Sequence, residues 1–263
     1  MEIIGYIASV LIGISLGLIG GGGSILTVPV LVYLFNVEPV IATSYSLFIV
    51  GSTSLAGVLP KYRKGLVNLK TAIIFGIPSI VAVYATRAFI VPMIPDEVFN
   101  VGSFVVTKSI LLMTLFAILM VFASISMIRK TKQVADENGE QKFNYPMILL
   151  EGSLVGLLTG MVGAGGGFLI IPALVLFSKL PMKMAVGTSL LIIASKSLFG
   201  FLGDISHYEF DWKLLITVSV LAIGGIFIGN GLSNKIPGEK LKKGFGWFVF
   251  LMGIYIIVKE LFL

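Results

Sequence analysis

Lys196 is a lone basic residue in an otherwise uncharged run, with Ile192-Ile193-Ala194-Ser195 before it and Ser197-Leu198-Phe199-Gly200 after it. A charge at that depth of an apolar helix costs about 2.5–3.5 kcal/mol on membrane-insertion scales, so it normally faces a cavity or a partner. Seven and eight residues earlier stand Ser189 and Thr188, in the segment Ala185-Val186-Gly187-Thr188-Ser189. A cation and two hydroxyls near one helix face suit a small oxyanion. The alternative for Lys196 is to snorkel toward the helix end at Gly203-Asp204. For the hydroxyls it is a bond to their own helix.

A second source of anion chemistry is the backbone. Gly20-Gly21-Gly22-Gly23-Ser24 and Gly163-Ala164-Gly165-Gly166-Gly167 each interrupt an apolar helix, and each is followed by a proline, Pro29 and Pro172. Glycine lets the chain turn and approach a ligand closely. The helix restarting after each break carries unpaired N–H groups and a partial positive charge. Gly22, Gly23 and Ser24, with Gly165, Gly166 and Gly167, are therefore expected to bind one anion between two helix N-termini. Thr43 and Ser44 lie in Ala42-Thr43-Ser44-Tyr45-Ser46, the small-polar segment of the first half that matches Ala185-Val186-Gly187-Thr188-Ser189 in the second. The further serines Ser52, Ser54, Ser195 and Ser197 read as packing residues, Arg87 as an interfacial anchor, and His207 as a solvated loop histidine.

Catalysis is poorly supported. Gly187-Thr188-Ser189-Leu190 is half of an intramembrane serine-protease motif. Its one candidate base, His207, is 18 residues further on, about 27 Å along a helix. Gly200-Phe201-Leu202-Gly203-Asp204 resembles an aspartyl motif only loosely and has no partner aspartate within a predicted span. No Walker sequence, metal-ligand cluster or cysteine is present, so neither ATP-driven transport nor thiol chemistry is encoded. No cofactor or metal is expected.

The elements that position these residues are membrane helices. The chain is 57% hydrophobic and 12% charged, with mean hydropathy +1.04, outside the range of a soluble domain of this length. The two glycine runs belong to a duplication at an offset of 143 residues. Residues 13–32 match 156–175 at nine of twenty positions, and 42–57 match 185–200 at eight of sixteen. Lys196 falls opposite Thr53, so the charge is asymmetric.

Ten helical segments follow, five per copy: 3–19, 24–36, 39–59, 69–91 and 105–128, then 146–162, 168–179, 182–203, 212–233 and 245–262. The second and seventh are too short to span at ordinary thickness. The expected fold is an all-α polytopic membrane protein of about 8–10 helical segments with glycine-broken hairpins. Residues 1–128 form the first repeat, 129–145 a linker, and 146–263 a second repeat of inverted topology. Fourteen of nineteen basic residues cluster at Lys61–Lys70, Arg129–Lys142, Lys179–Lys183 and Lys235–Lys243, while Glu38, Asp96, Glu97, Asp204, Glu209 and Asp211 mark the opposite side. Positive-inside bias then places the linker in the cytoplasm and both termini outside. An N-terminal cleaved signal is not expected, because Met1-Glu2-Ile3-Ile4 lacks a basic region.

The paired breaks Gly20 to Pro29 and Gly163 to Pro172, with the small-polar segments Ala42 to Leu47 and Ala185 to Leu190, resemble the sulfite exporter TauE/SafE family over essentially the whole chain. The resemblance implies an inner-membrane permease, a probable exporter in that family's sense, for small sulfur-containing anions such as sulfite or organosulfonates. The first copy departs from the Gly-Thr-Ser form of the second. An anion channel or an anion-sensing scaffold is the alternative on the same fold. Expected partners are a small anionic substrate and the lipid bilayer, with a homo-oligomer allowed and no nucleic acid.

Overall fold

The computed structural model describes residues 2–101, 104–128, 145–176, 178, 180–233 and 238–262. The basic linker, including Gly139, and Lys179 and Lys235 lie outside them. Within the described residues the chain is almost entirely helical: α1 (Glu2–Ile19), α2 (Thr27–Leu34), α3 (Pro39–Arg63), α4 (Leu69–Ala85), α5 (Val91–Met93), α6 (Lys108–Ile128), α7 (Tyr145–Val162), α8 (Gly167–Leu176), α9 (Met182–Asp204), α10 (Trp212–Leu232) and α11 (Gly238–Phe262). Among the described residues six helical stretches are long and apolar enough to cross a membrane, beginning at Pro39, Leu69, Lys108, Met182, Trp212 and Lys243. Shorter apolar helices run over Ile3–Ile19, Gly21–Leu34 and Pro146–Val162. The protein is a multi-pass membrane protein of the all-α class.

Helix starts follow from local chemistry. Asn68 accepts from Thr71 N at 2.9 Å at the start of α4, and Asp211 accepts from Lys213 N and Leu214 N before α10. Glu38 does the same for Ile41 N, with Pro39 opening α3. Each cap satisfies a backbone donor that the first turn leaves free. Two features depart from the expected segments. A two-stranded antiparallel hairpin, β1 (Glu97–Val101) and β2 (Phe104–Thr107), lies between α5 and α6. A π-helical turn, Thr86–Ile90, joins α4 to α5.

Contacts recur at the 143-residue offset. Gly13 of α1 packs on Ala222 and Ile226 of α10, and Gly156 of α7 packs on Ser79 and Ala82 of α4. Gly57 meets Ile226 and Leu190, while Gly200 meets Val83 and Leu47, the residues 143 positions earlier. Small residues let these helix backbones approach closely, which drives association where lipid offers no hydrophobic contrast. The equivalent helices α3 and α9 pack antiparallel, with Lys61 near Gly187, Gly51 against Leu198, and Ser44 toward the Asp204 end. Outward-facing residues such as Ile73, Ile77, Val81, Phe122, Val220 and Leu251 are large and exposed, as a lipid-facing surface requires.

Candidate functional site

The two glycine breaks meet. After α1, Gly20 takes φ +76° and the chain continues as a 3₁₀ helix over Gly21–Leu26 before α2 begins. After α7, Gly163, Gly165 and Gly166 take φ of +70°, +62° and +69°, and α8 starts at Gly167. These left-handed angles are open to glycine and costly for other residues. A Cβ built on Gly167 would lie 2.0 Å from Gly21 Cα, so the two backbones touch where any side chain would part them. Around this contact, Gly165 faces Ser24 Cβ, Val50 and Ile193, and Gly21 also faces Ile193.

Lys196 ends at this junction. Its side chain is completely buried, which removes the snorkelling alternative. Nζ donates to Thr159 Oγ1 at 2.7 Å and lies 2.8 Å from where a Cβ on Gly166 would sit. Among the described residues no carboxylate comes within 4.0 Å of it, the one ion pair being elsewhere. Thr159 hydroxyl itself donates to Val155 O at 2.6 Å. An ammonium with three donors thus has one neutral acceptor here, at a point where two chain breaks bring backbone close.

The other expected site residues divide. Ser24, Gly165, Gly166 and Gly167 stand at the junction with Lys196. Gly22 and Gly23 are buried but turn toward their own half: a Cβ on Gly22 would meet Ile19, and one on Gly23 would meet Ser15 and Leu16. Two of the amides are already engaged, Gly23 N donating to Gly20 O at 3.4 Å and Gly166 N to Ala164 O at 2.6 Å. Ser24 hydroxyl donates to Gly21 O. Thr188 is drawn away: its hydroxyl accepts from Asn68 N at 2.9 Å, at the opposite end of α9 from Asp204. Ser189 donates to Val186 O in its own helix. Eight residues separate Thr188 from Lys196, and the resulting angular offset of about 80° puts them on different faces.

Thr43 and Ser44 belong to a second buried polar cluster. Arg87 Nη1 contacts Thr43 Oγ1 at 2.9 Å, Ser44 Oγ at 3.4 Å and Asp204 Oδ2 at 3.2 Å, and the Arg87 and Asp204 side chains are both fully buried. Arg87 is therefore no interfacial anchor and Asp204 no solvated loop acid. The π-helical turn that holds Arg87 is a form enriched at functional sites. An arginine in a span otherwise free of charge from Thr71 to Val91 carried that signal already. Thr43 also touches the second glycine break, since a Cβ on Gly163 would lie 2.3 Å from Thr43 O. Beside this cluster a cleft of about 390 Å³ is lined by Glu38, Val40, Asp96, Lys108 and Tyr208 among others. Burial and the nearby Asp204 raise the Tyr208 phenol above its ordinary value, so it stays protonated and able to donate. His207 is exposed, as expected.

A family model described as sulfite exporter TauE/SafE matches residues 6–256. A protein of Xylella fastidiosa named "probable membrane transporter protein" is 31% identical over 254 residues, covering 94% of this chain and 91% of its own length. Two Bacillus subtilis proteins with the same descriptive name, YdhB and YunE, are 28% and 26% identical, covering 88% and 98% of this chain and 90% and 99% of their own. No solved structure matches the chain.

Proposed function

The chain belongs to the sulfite exporter TauE/SafE family and is a membrane transporter, and from that premise we propose that it exports small sulfur-containing anions, such as sulfite or organosulfonates, by alternating access. The observation that carries this reading is Lys196: a buried lysine whose one partner among the described residues is a neutral hydroxyl, set where the two glycine breaks touch. A buried charge is costly unless paired. An anion entering between Gly21 and Gly167 would supply the missing countercharge, and Ser24 and Gly165 would flank it.

The breaks are closed on one another, so binding would part them. The antiparallel packing of α3 and α9 and the contacts repeated at the 143-residue offset support two halves of inverted topology that rock about a shared site. In this reading the basic loop at Lys61–Lys64 faces the cytoplasm and the β-hairpin faces outside, in a cell inner membrane.

The test is flux. Purified protein in proteoliposomes should release preloaded sulfite or methanesulfonate with saturable kinetics, and external anion should accelerate the release of internal label by exchange. Neutral sulfones of similar size should not compete. Non-saturating conductance without exchange would point to a channel, and binding without flux to a sensing scaffold.

A further inference from the structure

We propose that the Arg87–Asp204 pair is a proton-coupling site: Asp204 takes up one proton as the anion replaces its carboxylate on Arg87, so that proton and anion cross together. This rests on the reading of the chain as an anion transporter.

The pair is short of bonds. Both side chains are fully buried, yet they share a single contact at 3.2 Å, and among the described residues Arg87 Nε, Arg87 Nη2 and Asp204 Oδ1 have no partner. A pair built as a clasp would be bidentate, with its remaining groups satisfied. Unpartnered donors on a buried guanidinium are what an arriving oxyanion would use. A buried carboxylate that loses its cation is in turn driven to bind a proton, because the isolated charge is costly in a medium of low polarity.

Its position fits an exchange between two ligands. Arg87 holds the hydroxyl of Thr43, whose backbone abuts Gly163 at the start of the second break. Asp204 lies eight residues beyond Lys196 on α9, about 12 Å. On its other side is the cleft lined by Glu38, Asp96, Lys108 and Tyr208. The groups acting on Asp204 are Arg87 from the π-helical turn, Ser44 from α3, His207 and Tyr208 from the loop after α9, and Lys108 from α6. Glu38 and Asp96 act on Lys108 and Tyr208 in turn. The proton would reach Asp204 from this cleft past Tyr208, which the Asp204 charge acts on.

The step balances. An O–H bond forms on the Asp204 carboxylate, the ion pair to Arg87 breaks, and the guanidinium keeps its proton and charge while it holds the anion. When the anion leaves, the proton leaves and the pair re-forms. One proton moves with each monoanion and no net charge crosses, so export runs down the anion's own outward gradient and an inward proton gradient opposes it.

Two readouts on the full chain in lipid test this. The first is infrared difference spectra on adding methanesulfonate, which should show a protonated-carboxyl band that Asp204→Asn removes. The second uses methanesulfonate, which carries no titratable proton near neutrality. A pH gradient of about one unit should drive roughly tenfold accumulation by the wild type. Asp204→Asn should abolish that drive. Asparagine keeps an acceptor for Arg87, so the fold should hold. Should Asp204→Asn fail to fold, Asp204→Glu, which retains the acid one methylene further out, should keep the drive with a shifted pH midpoint and a shifted band. No band with methanesulfonate at any pH the protein tolerates, or a full drive in Asp204→Asn, or unshifted behaviour in Asp204→Glu, overturns the inference. A band without flux of methanesulfonate or sulfite overturns the transport reading and this inference with it, whereas flux with undiminished drive in Asp204→Asn overturns the coupling alone.

Discussion

Replacing Lys196 by methionine separates a ligand-binding cation from a structural one, because the two roles move stability and affinity in different directions. Lys196 is fully buried, and among the described residues its Nζ has one hydrogen bond, to Thr159 Oγ1 at 2.7 Å. Removing the charge recovers a burial cost of about 2.5–3.5 kcal/mol. It forfeits a charge-assisted bond worth about 1.5–3 kcal/mol. Thr159 is not orphaned, since its hydroxyl already donates to Val155 O at 2.6 Å. Methionine matches the unbranched length of lysine and adapts to irregular space. The anion-free variant should therefore be as stable as the parent or up to about 2 kcal/mol more stable.

Affinity should fall. Losing one charge-assisted contact of about 1.5–3 kcal/mol weakens anion binding roughly tenfold to a hundredfold. Both quantities come from one assay, thermal unfolding in detergent with and without sulfite or methanesulfonate. At a concentration 100-fold above the parental Kd, the parent should gain about 2.7 kcal/mol from the ligand. A variant binding tenfold more weakly should gain about half of that. A variant that unfolds at markedly lower temperature yet keeps the parental ligand shift would refute the reasoning and make Lys196 a strut between α9 and α7.

Three further outcomes are expected. Gly166→Ala should destabilise by about 2–5 kcal/mol, from its φ of +69° and a Cβ only 2.1 Å from Thr159 Cγ2; Gly76→Ala, with nothing within 4 Å in α4, should gain about 0.5–1 kcal/mol in the same melting experiment. Arg87→Met should cost about 3–5 kcal/mol by stranding Asp204, and the double change Arg87→Met with Asp204→Leu should recover most of it, as chemical unfolding of the purified variants would show. Single cysteines near Lys64 and Gly139 should be shielded from an impermeant reagent added to cells while one at Glu209 reacts; equal labelling of Gly139 and Glu209 would remove the inverted orientation.

What could be read from the sequence was what depends on one dimension. Spans follow from runs of apolar residues, and the glycine breaks follow from composition at two points. Lys196 stood out because a charge eight residues from the end of its helix has no easy route to water. Arg87 and Asp204 were harder for the opposite reason. Each lies near the end of a span, where an interfacial position is the ordinary outcome, and their contact joins residues 117 apart in the chain. Thr188 was misplaced by phase: sharing a helix with Lys196 is not sharing a face, and the loop at Asn68 claims its hydroxyl. The hairpin Glu97–Val101 with Phe104–Thr107 has β-branched and aromatic residues that apolar spans also contain, so hydropathy alone could not separate it from the start of α6.

The repeated scaffold and the unrepeated charges have distinct roles. Positions that hold the halves together recur in kind: Gly13 with Gly156, Gly57 with Gly200, Gly20 with Gly163. Positions that carry charge do not. Lys196 corresponds to Thr53, Arg87 to Asn230, and Asp204 to Lys61. Were Lys196 matched by a second buried lysine at the junction, two ammonium groups would face each other across touching glycines, and closure without an anion would be opposed by their repulsion. A single lysine bonded to Thr159 lets the breaks close empty, as they are here. The same holds for the ion pair, whose counterpart positions Asn230 and Lys61 cannot form one. A transporter returning without cargo must be able to close in that state. On this argument a Thr53→Lys variant should fold only with anion present, and ligand-dependent recovery from membranes in detergent would measure it; equal recovery with and without sulfite would mean that Thr53 does not face the junction.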